Sequence, residues 1–426
     1  MLFFYRFLTT LLFPIVIIII YIRIFLKKED AKRFKEKILL SKKHELSNNK
    51  KSTLIWFHGA SIGEISSVFP LINRLKNLNK NIEFLLTTVT LSSSKIVEDK
   101  YKDDPKITHQ FLPIDTTFLS RSFLEKWNPD LVAFVDSEIW PNFILKIKEK
   151  GIPLILINGR ITQNTFKRWM IISSFAKKIF SSFDLCVSAN EDSVKYLKLL
   201  GASNIKSFGN LKFVSNINMS SKLNYKKKLF LNNKEIWCAA STHKGEERFC
   251  MRAHLEIKKS IPNILTIIIP RHIQRNESIL LDAKKIGLEA QVFNENDHVN
   301  DSSEILLINS FGVLPEYYNI CKNVFMGKSI IKKLSKVGGQ NPIEASKFGC
   351  KIFHGPYIYN FEEVYRFLNS LNISEEIQNE KVLATKIIEN LKNPKKINQN
   401  NIDRIEGFGN SILEKTILEI KKFIKI

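Results

Sequence analysis

Short apolar runs that stop at a glycine or a polar turn, each followed by a stretch of helical periodicity, recur along most of this chain. The first is Leu54 to Glu64, LIWFHGASIGE. Leu54 to Phe57 read as a buried strand, Gly59 ends it, and Ser61, Ile62, Gly63 and Glu64 lead into the helical pattern Val68, Leu71, Ile72, Leu75. Further strands are expected at Ile82–Thr87, Leu131–Val135, Leu154–Ile157 and Leu185–Ser188, with helices near Ile65–Leu78, Thr117–Trp127 and Asn142–Lys150. Parallel neighbours need a crossover between them, and this alternation supplies one each time, so a parallel sheet with helices on both faces follows. The rhythm lapses over Ser215 to Lys234, a polar, Asn- and Lys-rich stretch that reads as a linker. It restarts with strands at Ile236–Ala240, Leu265–Ile269, Ala290–Phe293, Ile305–Ile308 and Val324–Met326, and helices over Glu246–Lys259 and Gln274–Ile286. After Tyr357 the pattern is mainly helical to Ile426. The expected class is α/β, with two doubly wound domains, 27–214 and 235–426, joined by a linker at 215–234 and facing one another across a cleft. Ligands in such domains sit at the carboxyl ends of the strands.

The amino terminus has a different composition. Leu2 to Ile22 is apolar except at Arg6, Thr9, Thr10 and Pro14, about the 20 residues that a spanning helix needs. Lys27, Lys28, Lys32, Arg33, Lys35 and Lys37 follow at once, which orients the remainder toward the cytoplasm. Bulky Ile-Tyr-Ile-Arg-Ile stands where a cleaved leader has small residues. Residues 1–26 therefore read as a single retained anchor in an inner membrane. The formal net charge of +23 points to an acidic partner, anionic lipid or a phosphorylated substrate. No zinc-finger, ribonucleoprotein or basic-heptad pattern accompanies it, so nucleic acid is not the expected partner. Five scattered cysteines without a C-x-x-C pair read as reduced and buried. The histidines form no H-x-x-x-H or H-E-x-x-H pattern, and neither a G-x-S-x-G elbow nor a G-x-x-x-x-G-K-[ST] loop occurs. No metal and no cofactor are expected.

Glu64 lies at a strand-to-helix turn, where a carboxylate is placed to take a proton from a substrate. With Ser61 at N-cap it would equally form a capping box. Val135 to Asn142, VDSEIWPN, ends a second strand in acidic residues at the same sheet edge. Glu138 then forms a carboxylate pair with Glu64, or Asp136 and Glu138 stabilise a helix dipole. Arg160 and Lys212 bring cations to the edge of this domain. In the second domain Ser241 and Thr242 offer hydroxyls after a strand, and Pro270-Arg271 follows Leu265–Ile269, where the guanidinium fork suits a phosphate or carboxylate. Gly338-Gly339-Gln340-Asn341-Pro342-Ile343-Glu344 reads as a glycine loop opening a helix, with Asn341 at N-cap, Pro342 at N1 and Glu344 at N3. Bare backbone there would present N–H groups to a phosphate.

Taken in order, these segments resemble the 3-deoxy-D-manno-octulosonic-acid (Kdo) transferase family, from the anchor to about Phe367. The carriers are HGASIGE at His58–Glu64, FLPID at Phe111–Asp115, SEIWPN at Ser137–Asn142, NGRI at Asn158–Ile161, GNLKF at Gly209–Phe213, ASTHKGEE at Ala240–Glu247, PRH at Pro270–His272, GGQNPIEA at Gly338–Ala345 and HGPYIYNF at His354–Phe361. The resemblance implies a type-B glycosyltransferase fold, with an anionic lipid A precursor of the lipid IVA type on the first domain and CMP-Kdo on the second. It implies that Glu64 deprotonates the acceptor hydroxyl and that Glu138 and Lys212 stabilise the transition state. Arg271, the segment Phe311-Gly312-Val313, and Asn341 to Glu344 would hold the nucleotide. Attack from the opposite face would invert the anomeric carbon. The chain departs from the family pattern at Val214, Asn309, Phe311, Val313, Lys328, Val337 and Gln340, while Glu64, Glu138, Lys212, Arg271, Asn341 and Glu344 match it.

Overall fold

The computed structural model describes residues 1–38, 52–214, 234–294, 297–335, 337–394 and 399–424. The linker expected at 215–234 lies, apart from Lys234, outside the described residues. Two compact units form, one of Met1–Ser215 with Phe408–Ile426, the other of Asn216–Gly407.

In the first unit, strands β1 (Thr53–His58), β2 (Ile82–Thr88), β3 (Ile107–Phe111), β4 (Leu131–Val135), β5 (Leu154–Gly159), β6 (Leu185–Ser188) and β7 (Ile205–Ser207) form one sheet in the order β3-β2-β1-β4-β5-β6-β7. Every pairing is parallel. The chain lays down strands on one side of β1 and then returns to the other side with β4, so the β1/β4 boundary is a switch point where two crossovers diverge and leave room above the strand ends. Helices cover both faces. The core on one of them is built around Trp56, whose ring meets Phe123, Phe134 and Phe143 at centroid distances of 4.8, 5.5 and 5.7 Å. The helix expected over Ile65–Leu78 is two, Ile62–Ser67 and Phe69–Leu78, divided at Val68. Pro70 explains the division, because its nitrogen cannot donate to the turn before it.

The second unit repeats the plan with β8 (Glu235–Thr242), β9 (Ile264–Pro270), β10 (Ala290–Phe293), β11 (Ile305–Ile308), β12 (Asn323–Met326), β13 (Lys351–His354) and β14 (Ser374–Glu376), ordered β10-β11-β9-β8-β12-β13-β14 and again all parallel. Its switch point is β8/β12. The stretch after Tyr357, expected to be mainly helical, also carries the short edge strand β14. The last helix, Gln399–Ile420, begins in this unit, but from Phe408 its residues group with the first. Phe408 meets Phe213 edge to face at 5.0 Å. The domain expected at 235–426 therefore loses its C-terminal end to the first unit, because the apolar side of that helix finds its partner there.

The amino terminus is not one straight helix. Leu2–Leu11 and Phe13–Phe25 are bent by 47°, with Pro14 in the first turn of the second helix. No single helix among the described residues is long and apolar enough to cross a membrane, although the bent pair together passes by length and composition. Both helices lie on the first unit. Tyr5 packs its ring 5.7 Å from Phe175, and Ile20 clusters with Phe34 and Ile38. Phe3, Phe4, Phe7, Leu11, Ile15, Ile18 and Phe25 remain exposed.

Candidate active site

Glu64 and Glu138 follow the two strands that flank the first switch point. Ser61 is the N-cap of the helix Ile62–Ser67. Its backbone N–H donates to Glu64 Oε2 at 2.9 Å while the Glu64 N–H donates to the Ser61 hydroxyl. The capping box is therefore present, and it holds rather than occupies the carboxylate: Glu64 is half-buried beside other acids. Burial raises its carboxyl above the ordinary value, and the charges of Glu138 and Asp136 push the same way, against the pull of the Ser61 N–H. Gly63, exposed, has open space where a side chain would stand.

Glu138 is held from two sides. Trp140 Nε1–H donates to its Oε2 at 2.8 Å, and His58 Nε2 lies 3.2 Å from the same oxygen. His58 is fully buried at the end of β1, with Nδ1 2.9 Å from the Thr87 hydroxyl. That hydroxyl accepts from Trp56 Nε1–H. The proton directions agree if Thr87 donates to Nδ1 and Nε2–H donates to the carboxylate. Asp136, next to this loop, is buried with φ of +60°, a conformation that an aspartate tolerates better than most residues. Its Oδ2 pairs with Lys212 Nζ at 3.2 Å, and its carbonyl accepts the Arg160 N–H at 3.1 Å. Asn158, also left-handed at +55°, takes the Leu211 N–H on its Oδ1 at 3.0 Å. The turn Leu211–Val214 that carries Lys212 is thereby pinned to β5, and it packs against the helix of Glu64. Glu64, Glu138, Asp136 and Lys212 thus form one cluster. The helix-dipole reading of Asp136 gives way to an ion pair with Lys212.

In the second unit, the residues after β8, β9 and β12 gather at one sheet edge. Glu246, fully buried, accepts the backbone N–H groups of His243, Lys328 and Ser329 at 2.8, 2.6 and 2.8 Å, and that of Ile330. One carboxylate thereby shapes the loop after β12, and burial raises its carboxyl above the ordinary range. Lys328 stands in that loop at φ +60°, in a left-handed conformation that favours glycine. Burial and the neighbouring Arg271 lower its ammonium below the usual value. His243 and His272 face each other at 5.9 Å, and burial lowers His243, with Lys328 and His272 pressing in the same direction. Arg271 is exposed after Pro270, the last residue of β9, and its N–H donates to the Thr242 carbonyl. Ser241 is left-handed at +55° beside His243, its carbonyl 3.1 Å from His243 Nδ1. Phe311, Gly312 and Val313 follow β11, with Phe311 exposed and Gly312 left-handed.

Three expectations need correction here. Thr242 does not present its hydroxyl outward: it is buried and donates to Glu247, which also holds Arg275 through two 2.9 Å contacts. Gly338 and Gly339 are small because Tyr357 and Ile358 press on them, a Cβ at Gly338 colliding with the Tyr357 carbonyl, and the Gly339 N–H is spent on the Lys328 carbonyl. The N-cap is Pro342 rather than Asn341, and the helix Ile343–Lys347 has only five residues. Asn341 still accepts the Ile343 N–H at 3.1 Å, but Glu344 closes no capping box and instead sits half-buried, its carboxyl raised by burial. The sequence reading missed His58, Thr87, Trp140 and Glu246. All but Thr87 stand inside the quoted motifs, and a histidine or glutamate at a strand end beside a carboxylate was the available signal.

The family model for 3-deoxy-D-manno-octulosonic-acid transferase (kdotransferase) matches residues 32–215. Among curated proteins, the chain is 29% identical to the 3-deoxy-D-manno-octulosonic acid transferase of Rickettsia prowazekii, with 99% of each chain covered. It is 33% identical to that of Rickettsia bellii, over 83% of this chain and 82% of that one. Among solved structures, a glycosyltransferase from Rickettsia africae superposes with a TM-score of 0.60 at 14% identity, covering 88% of this chain and 99% of the other; that likeness bears on the fold alone.

Proposed function

Since this chain belongs to the 3-deoxy-D-manno-octulosonic-acid transferase family of glycosyltransferases, we propose that it moves Kdo from CMP-Kdo to a lipid IVA-type lipid A precursor with inversion, at the cytoplasmic face of an inner membrane. The observation that carries this reading is the carboxylate cluster at the β1/β4 switch point. Glu64 takes the proton of an acceptor hydroxyl as its oxygen attacks the anomeric carbon of Kdo. The bond from that carbon to the phosphate oxygen breaks, and CMP leaves with the electron pair. Glu64 suits the task because burial and its acidic neighbours make it a stronger base than a solvated carboxylate. Glu138, held in place by His58 and Trp140, lies beside the positive charge that develops on the sugar. Lys212, held by Asp136, acts at the same site.

On the donor side Arg271 and Lys328 meet the phosphate or the Kdo carboxylate, Asn341 to Glu344 and the 311–313 segment hold the nucleoside, and Ser241 lines the same edge. Gly338 and Gly339 serve by allowing close backbone packing. The bent helix pair and the exposed apolar residues on it attach the first unit to the bilayer, and the basic surface adds attraction to anionic headgroups. The test is transfer from CMP-Kdo to lipid IVA by the detergent-solubilised chain beside Glu64→Gln, with products read by mass. Wild type is expected to add Kdo mass. Glu64→Gln is expected to lose about 10²–10⁴-fold in kcat with CMP-Kdo affinity retained. A fully active Glu64→Gln would remove the residue from the base role.

A further inference from the structure

The first helix, Leu2–Leu11, does more than present apolar residues. Tyr5 donates its hydroxyl to Asp115 Oδ2 at 2.7 Å. Asp115 is buried, and the same carboxylate accepts the backbone N–H of Asn142 on Oδ2 and of Phe143 on Oδ1, each at 3.0 Å. The Asn142 side chain returns a bond to the Asp115 carbonyl at 2.7 Å and lies 3.4 Å from the Thr9 hydroxyl. These partners are unusual in their origin. The helix Pro141–Glu149 has no side-chain cap of its own, since its N-cap is Trp140, and an uncapped first turn leaves N–H groups without partners. A carboxylate from a distant segment supplies them, and the amino-terminal helix completes that carboxylate's contacts. Arg6, one residue along, pairs with Glu149 at the far end of the same helix at 3.2 Å.

The capped residues lie immediately after the loop that carries Glu138, and Trp140, the N-cap, donates to Glu138. Polar contacts at Asp115 and at Glu138, joined by the backbone from Trp140 to Phe143, therefore link the amino-terminal helix to the carboxylate at the switch point. We infer that Tyr5 and Asp115 are positioning residues for Glu138, so that seating of the first helix on this unit fixes the catalytic carboxylate as well as the attachment to lipid. The inference rests on the role given above to Glu138. It assigns the first helix two separable duties, because Phe3, Phe4 and Phe7 point to solvent while Tyr5 is turned inward.

The test uses the full chain with Tyr5→Phe, which keeps the ring against Phe175 and removes only the donor, and Asp115→Asn as a second variant. Three readouts are taken on each. In hydrogen exchange the amides of Asn142 and Phe143 are expected to exchange faster in both variants; unchanged protection would overturn the contact as a determinant of that turn, whatever the enzyme transfers. In the CMP-Kdo to lipid IVA assay, kcat is expected to fall about tenfold for Tyr5→Phe, the order expected for losing one hydrogen bond to a charged group. The KM for CMP-Kdo and retention on phosphatidylglycerol–phosphatidylethanolamine vesicles are expected to stay at wild-type values. On a Glu138→Gln background Tyr5→Phe should cost nothing more, the signature of residues acting through one another. An unchanged kcat in Tyr5→Phe, or a loss that adds fully to that of Glu138→Gln, would sink the inference. Absence of Kdo transfer by wild type would instead strike the proposed function, leaving the exchange result to decide the contact.

Discussion

At the level of single residues, the site depends on side chains that are held as much as on those that react. Glu64 was legible from its position after a strand and a glycine; the capping box is present, and the base role proposed above rests on the same carboxyl, which burial raises. A local signal cannot separate these readings, because what raises the Glu64 carboxyl is burial in the fold, followed by the charges of Glu138 and Asp136 after another strand. A pH prediction follows. With Glu64 as the base proposed above, the rate is expected to rise as pH climbs through its raised pKa, so that the acid limb of kcat/KM lies above the ordinary glutamate value. Glu138→Gln removes a like charge, so the Glu64 pKa falls and that limb moves to lower pH even as kcat drops. A limb that stays in place in Glu138→Gln would show that the two carboxylates do not interact. His58 and Trp140 escaped notice because a buried histidine and a tryptophan beside a proline read as core until the strand order places them against Glu138.

Among the elements, uniformly apolar strands such as β4 and β11, and the mostly apolar β2 and β9, were plain in the sequence within a residue or two of their ends. Those missed, β3 (ITHQF), β7 (IKS), β13 (KIFH) and β14 (SEE), are short or polar. Three of them pair on one side only or lie at an edge, where burial imposes no apolar pattern. Turns were harder, because their geometry comes from partners outside the window. The glycines at 338 and 339 looked like an anion loop and instead make room for residues 357 and 358. Gly338→Ala is accordingly expected to destabilise the second unit by about 2 kcal/mol or more, as overpacking in a fixed core does, read as a lower denaturation midpoint without a specific change in chemistry. Lys328 is the opposite case, a residue with a side chain where the backbone favours none. Lys328→Gly relieves the left-handed strain and removes a cation, so the chain is expected to gain stability by a few tenths to about 1 kcal/mol while its KM for CMP-Kdo rises. A KM that does not change would take Lys328 out of donor binding.

For the molecule as a whole, two doubly wound units were evident from the alternation of patterns, and the sheet orders agree with it. Two features were not evident: the bend in the amino-terminal pair, and the transfer of the last helix to the first unit. The bend sits at Pro14, whereas the transfer of the last helix is settled by packing between segments remote in sequence, which periodicity does not report. Phe408→Ala, which strips a partly exposed ring from Phe213, is expected to cost roughly 1–2 kcal/mol, below the range for a fully buried phenylalanine, and to lower kcat because Lys212 adjoins Phe213. A wild-type kcat would separate that packing from the site. The return of the chain has a further consequence, in the order of synthesis. The amino-terminal helices leave the ribosome first and the residues that support the Lys212 turn leave last, with the entire second unit made in between. Domains made in tandem fold one after another as they emerge, but here the earlier unit stays incomplete until the later one is finished. With the attachment proposed above, a nascent chain would meet lipid before Phe408 has packed against Phe213, the neighbour of Lys212.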